Sequence, residues 1–262
     1  MRFKVFLIAL VLGLLSVPVF AQEGGSHTAT IDGFSFSYDA ALAHNVNILH
    51  FPGDPVEGAG AGFSDAANTL INLYDVGPAP ESPIDANTKA GIRIYAVSDL
   101  AKYDFMQAQV DQLQALIDGK TDLSAFETQA GGDTALPYLP VPIHGQILRT
   151  HTTLIETDSL KGIGYLTVTP TMDSIEPFTH SSFIYVFQGI SADGKTYISA
   201  FFPLDTKLFP QTMTDDWSGV NEHLDEVLSY SAKTLDEGQA SDFTPSLDTI
   251  DSLIQSFAFK QS

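Results

Sequence analysis

The fold of this chain is decided by the stretch Phe183-Ile184-Tyr185-Val186-Phe187-Gln188-Gly189-Ile190-Ser191-Ala192-Asp193-Gly194-Lys195-Thr196-Tyr197. Residues 183–189 and 196–202 predict two strands, and Asp193-Gly194 between them is typical of a tight hairpin, because glycine takes a positive φ without steric cost. Apolar side chains alternate onto both faces of each predicted strand. An antiparallel pair usually leaves one face in water, so we expect this hairpin at the centre of a sheet, with helices on both faces.

Further strands and helices are predicted on either side of the hairpin. Period-two alternation and turn residues predict the strands 31–38, 46–51, 91–97, 146–155 and 162–169, whereas 69–76 is ambiguous between a strand and a helix, because its apolar residues follow neither period cleanly. Apolar stripes at three- and four-residue steps predict three helices: one capped by Ser98 and ended by Gly119, one over 218–235, and one starting at Thr244-Pro245.

These elements place the chain in the α+β class, as an antiparallel β-sheet flanked by helices. Residues 131–142 contain two glycines and three prolines and predict a stiff connector. We therefore expect a 22–130 half and a 143–262 half, which either pack against each other or form one continuous domain.

The first 21 residues predict a secretory signal peptide. Arg2 and Lys4 precede an apolar run over 5–20, and Val19-Phe20-Ala21 provides a small residue at the expected cleavage point. A transmembrane anchor needs about 20 apolar residues, and this run is shorter and contains Pro18. We expect cleavage, a secreted or periplasmic protein and no stable membrane anchor, since a chain with no cysteine cannot carry a lipoprotein lipid.

Composition excludes several function classes. The chain has 32 acidic and 12 basic residues, a formal net charge of −20, so nucleic acid is disfavoured as a partner because like charges repel. The negative charge has two possible explanations: it attracts cations or a basic partner, or it only keeps the protein soluble. Cysteine chemistry is excluded, because the chain contains none.

Two resemblances rest on particular residues. The segment Leu136-Pro137-Tyr138-Leu139-Pro140, followed by the 183–197 block and Phe202-Pro203, resembles a group of uncharacterised secreted bacterial proteins and lipoproteins over 136–203. That group implies no activity. The stretches Gly33-Phe34-Ser35-Phe36-Ser37-Tyr38 and Ser256-Phe257-Ala258-Phe259 resemble the PsbP-like fold, an antiparallel sheet between helices, and this resemblance implies a non-enzymatic accessory protein.

No catalytic motif stands out in the sequence. Gly189-Ile190-Ser191-Ala192-Asp193 lacks the last glycine of a nucleophile elbow, and Glu222-His223 is not part of a zinc-peptidase motif. We therefore expect a secreted, non-enzymatic binding or accessory protein whose partner is an unknown protein or small-molecule ligand of the envelope. The alternative is a secreted hydrolase, with His144, His151 and His180 as candidate catalytic residues. No cofactor is predicted, although the acidic charge predicts weak calcium binding.

Overall fold

A computed structural model describes residues 25–128, 131, 134–143, 145–168, 177–212 and 223–260. The strands are β1 (Ser26–Ile31), β2 (Phe34–Asp39), β3 (Asn45–Phe51), β4 (Asn68–Tyr74), β5 (Thr88–Ala96), β6 (Leu148–Glu156), β7 (Leu160–Val168), β8 (Phe183–Ser191), β9 (Thr196–Thr206), β10 (Phe243–Thr244) and β11 (Ala258–Phe259). The α-helices are α1 (Val97–Leu100), α2 (Asp104–Asp118), α3 (Leu224–Asp236) and α4 (Leu247–Gln255), with short 3-10 helices at Leu123–Phe126 and Ala240–Asp242.

The main sheet is eight-stranded, with the order β3-β4-β5-β9-β8-β7-β6 and with β10 paired to β9. All of its strand pairs are antiparallel. The 183–202 hairpin lies at the centre of this sheet, and its two faces belong to two separate apolar clusters. The α+β class and the antiparallel sheet flanked by helices are therefore confirmed.

Helix α2 and residues 134–143 cover one face of the sheet. The buried side chains of Met106 and Leu113 belong to the same apolar cluster as Tyr165 and Val186 of the sheet. The single helix predicted from Ser98 is wrong, because α1 ends at Leu100 and α2 begins only at Asp104. This break lets both Leu100 and Tyr103 enter the core.

The other face is covered by a small three-stranded sheet, β1-β2-β11, together with α3 and α4. The ring of Phe257, which follows α4, lies 6.0 Å from that of Phe187 in β8. The strand predicted over 31–38 is present as β2, but it begins only at Phe34, because Asp32 and Gly33 have φ values of 50° and 86° and form the turn between β1 and β2.

The start of α4 also differs from the sequence prediction. Ser246, not Thr244, caps this helix, because the Ser246 side chain accepts from the Thr249 N–H. Of the helix predicted over 218–235, residues 218–222 lie outside the described ranges, and α3 begins at Leu224.

The proline-rich segment is part of the core. Leu136 and Leu139 are buried, and the Gln188 side chain of β8 accepts from the Leu139 N–H at 3.1 Å. Strands β5 and β9, from the two expected halves, pair directly and join both halves into one sheet. The boundaries at 22–130, 131–142 and 143–262 stay a prediction.

Candidate functional site

A cleft of about 540 Å³ opens at one end of the main sheet, where β4 and β9 end and β5 and β8 begin. Among the described residues, four aspartates and one lysine, Lys89, line this acidic cleft. The aspartates are Asp39, Asp75, Asp85 and Asp205. The lining also includes apolar side chains, among them Leu42, Ile84 and Leu204. Hydroxyl-bearing residues complete it: Thr88, Ser181, Thr244 and Thr249.

The 75–87 loop forms one wall of the acidic cleft and is held against the sheet. The Asn47 and Asn72 side chains both donate to the Pro80 carbonyl, at 2.8 and 2.9 Å. Gly91 of β5 lies directly under the loop, since a Cβ there would approach the Pro83 Cβ to 2.2 Å. Asn72 is fully buried, so the loop rests on a fixed part of the sheet.

Another part of the lining comes from the end of β2 and from Thr249 in α4. The Asp39 carboxylate accepts from the Ala41 N–H at 2.8 Å, in the turn that leads to Leu42. In the 75–87 loop, the Asp85 carboxylate accepts from the Glu81 and Ser82 N–H groups at 2.8 and 3.0 Å. Backbone donors thus fix both carboxylates in position.

The four carboxylates differ in their charge partners. Asp75 pairs with His44 at 2.9 Å and with Lys89 at 3.6 Å, and Asp205 pairs with His180 at 2.8 Å. Within the described ranges, Asp39 and Asp85 accept only from neutral backbone N–H groups. Because such groups do not neutralise a carboxylate, these two aspartates give the acidic cleft a net negative charge.

The candidate histidines lie apart from one another or outside the described ranges. The His180 Nδ1 contacts Asp205 at the acidic cleft. His151 lies in an irregularity of β6, where its Nε2 is 2.8 Å from the Leu235 carbonyl and its ring packs edge-on against Phe243. No contact joins His151 to His180, and His144 lies outside the described residues. Their predicted catalytic roles stay predictions.

Sequence reasoning missed the four cleft aspartates. They lie in four separate segments of the chain, and a sequence with 32 acidic residues gives no local signal that selects them. Across the described ranges, no three His, Asp or Glu side chains are grouped so that they could hold a metal ion. The expected weak calcium binding stays a prediction.

A second charged cluster lies away from the acidic cleft. The Arg93 guanidinium contacts the Asp65 carboxylate at 2.7 Å, and Tyr95 also donates to that carboxylate. Burial raises the pKa of Asp65 and outweighs the lowering by Arg93. Arg93 also stacks over Phe51, so the cluster fastens the 53–67 loop to β3 and β5.

Comparison with protein-family models, with curated proteins and with solved structures gives no match in any of the three. In the part of the chain that the structure describes, no helix is long and apolar enough to cross a membrane.

Proposed function

We propose that this is a secreted, non-enzymatic binding protein of the cell envelope or exterior, and that the acidic cleft binds a small cationic ligand. The observation that carries the proposal is the pair of carboxylates, Asp39 and Asp85, that line one cleft without a cationic partner in the described structure. The PsbP-like resemblance supports the non-enzymatic part of the proposal.

Size and composition of the acidic cleft suit such a ligand. A volume of about 540 Å³ lies within the range of small-molecule sites, which combine apolar walls with a few fixed polar groups. Leu42, Ile84 and Leu204 would contact alkyl portions of the ligand, while the carboxylates would contact its ammonium or guanidinium groups. The net charge of −20 attracts cations toward the surface before they reach the site.

Calorimetric titration with spermidine and with trilysine tests this proposal. The Asp39→Asn/Asp85→Asn variant removes two cleft charges, and the Asp111→Asn/Asp158→Asn variant removes the same charge from exposed positions elsewhere. We expect the cleft variant to bind at least about tenfold more weakly, a loss of about 1.4 kcal/mol, and the control variant to bind like the wild type. Equal weakening in both variants, or no binding by the wild type, would contradict a specific site.

One contact favours the hydrolase as a second candidate function. The bond from His180 Nδ1 to Asp205 directs the ring so that its Nε2 can accept a proton from a water or hydroxyl group, as a general base does. Ser181 and Asp205 line the acidic cleft, whereas His180 adjoins it through its contact with Asp205, and no hydrogen bond joins Ser181 to His180.

A panel of fluorogenic ester, peptide and glycoside substrates tests the hydrolase. Any detected hydrolysis should be lost in His180→Gln and retained in His50→Gln, an exposed histidine that bonds Thr69 instead. Activity that survives His180→Gln would refute this role. The calcium prediction is tested separately, since a flat titration at millimolar calcium would dismiss it.

A further inference from the structure

The two edges of the main sheet are treated differently. At the β6 edge, side chains accept from the outward backbone N–H groups of Arg149, His151 and Thr152, at 2.9, 3.3 and 3.0 Å. The register of β6 is also broken between Thr150 and Thr153. Capped donors and a bulge are the means by which proteins prevent another chain from pairing with a sheet edge.

The β3 edge has none of these protections. Asn45–Phe51 pairs with β4 over seven residues in one unbroken register and contains no lysine, arginine, aspartate, glutamate or proline. Within the described ranges, its backbone has no hydrogen-bond partner outside β4. Phe51 at its end is 36% exposed. An edge strand of this length without charges is a template for the addition of another strand.

We propose that β3 is a docking edge for an extended, basic segment of a partner polypeptide, which pairs with it as an additional strand. Among the described residues, an acidic residue without a cationic partner lies beyond the Phe51 end of β3: the Asp54 carboxylate, three residues further along, accepts from the Asp65 N–H. At the Asn45 end, Asp75 already pairs with His44 and Lys89. A basic residue at the end of the added segment beside Phe51 would therefore lie near Asp54. Asp75 also lines the acidic cleft, but no residue of β3 does, so the inference does not depend on the proposed ligand.

Charge disfavours a second copy of this chain as the occupant. Two copies that pair through β3 about a twofold axis run antiparallel, so the Phe51 end of one meets the Asn45 end of the other. Asp54 of each copy would then approach Asp75 of the other, and like charges across paired strands destabilise the pair. Each copy also carries a net charge of −20.

A fluorescein-labelled peptide tests the proposal. The probe alternates valine and threonine over the seven-residue length of β3, with one lysine added at each end. Its control is the same peptide N-methylated at every residue between the lysines, which keeps the side chains and the charge but removes the backbone donors of both edges. We expect the control to bind at least about tenfold more weakly by fluorescence anisotropy, and hydrogen exchange in 45–51 to slow only with the unmethylated peptide.

The Asp39→Asn/Asp85→Asn variant separates binding at the edge from binding in the acidic cleft: the ratio of the affinities for the probe and for its methylated control should be the same in this variant as in the wild type. Equal binding of the two peptides, or slow exchange in the chain alone of the β3 amides that do not donate to β4, would overturn the proposal. A dimer that forms with rising concentration in light scattering and protects 45–51 would overturn it in favour of a second copy.

Discussion

Gly91→Ala tests how the acidic cleft is built. The added Cβ would lie 2.2 Å from the Pro83 Cβ and 2.5 Å from its Cα, whereas carbon atoms pack at about 3.5–4.0 Å. The 75–87 loop must therefore move outward by roughly 1.5 Å, because the neighbouring strand cannot yield. Overpacking of this kind costs about 1–3 kcal/mol. Losing the Pro80 contacts with Asn47 and Asn72 would add about 0.5–1.5 kcal/mol each.

Urea denaturation measures this loss, and hydrogen exchange shows where it arises. We expect the free energy of unfolding to fall by about 1–3 kcal/mol from overpacking, and by up to about 6 kcal/mol if both Pro80 bonds are lost. We also expect faster exchange in 78–87 and weaker cation binding, since Asp85 moves with the loop. Gly60→Ala is the matched control, because its Cβ would meet no atom within 4 Å. If Gly91→Ala is as stable as this control and 78–87 exchanges as in the wild type, the loop is not docked on Gly91.

Three further substitutions have defined outcomes. Gln188→Leu leaves two buried donors, the Leu139 N–H and the Tyr197 hydroxyl, without their acceptor. The free energy of unfolding, measured by urea denaturation, should fall by roughly 1–3 kcal/mol for each donor. An unchanged free energy of unfolding would show that these two hydrogen bonds do not stabilise the fold. Ser246→Ala removes the α4 cap and should cost about 1 kcal/mol, visible as a lower Tm, whereas an unchanged Tm would contradict the capping role. Partial desolvation, aided by the charge of Asp248, raises the pKa of Asp251, although its side chain is exposed on α4. Its ionisation therefore disfavours the folded state, and Asp251→Asn should raise Tm at pH 7. The gain in Tm should shrink as the pH falls below the raised pKa of Asp251, and it should be absent below the ordinary pKa range of aspartate, where the carboxyl is protonated in both states. A gain in Tm that is the same at every pH would contradict the raised pKa.

The central hairpin could be predicted because its signal is local. Apolar residues on both faces of 183–189 and 196–202 require cover on both sides, and Asp193-Gly194 sets the turn. The break between α1 and α2 could not be predicted, because the apolar stripe continues across it. Only the core shows that Leu100 and Tyr103 are both buried.

The acidic cleft could not be predicted, because it is assembled by tertiary contacts. Asp39 and Asp85 come from a strand end and a loop, and nothing in their neighbouring residues distinguishes them from other acidic turns. The buried role of 134–143 was missed for a similar reason. Its prolines indicate a connector, whereas the group that accepts a hydrogen bond from the buried Leu139 N–H is the side chain of Gln188, in a strand distant in sequence.

An NMR titration of the isotope-labelled protein with trilysine tests the central claim most directly. The proposal predicts that amide shifts change around Asp39, in 81–86 and near Thr249, and saturate together at one ligand per chain. Shifts that spread weakly over acidic residues all around the surface, or that leave the acidic cleft unchanged, would contradict it.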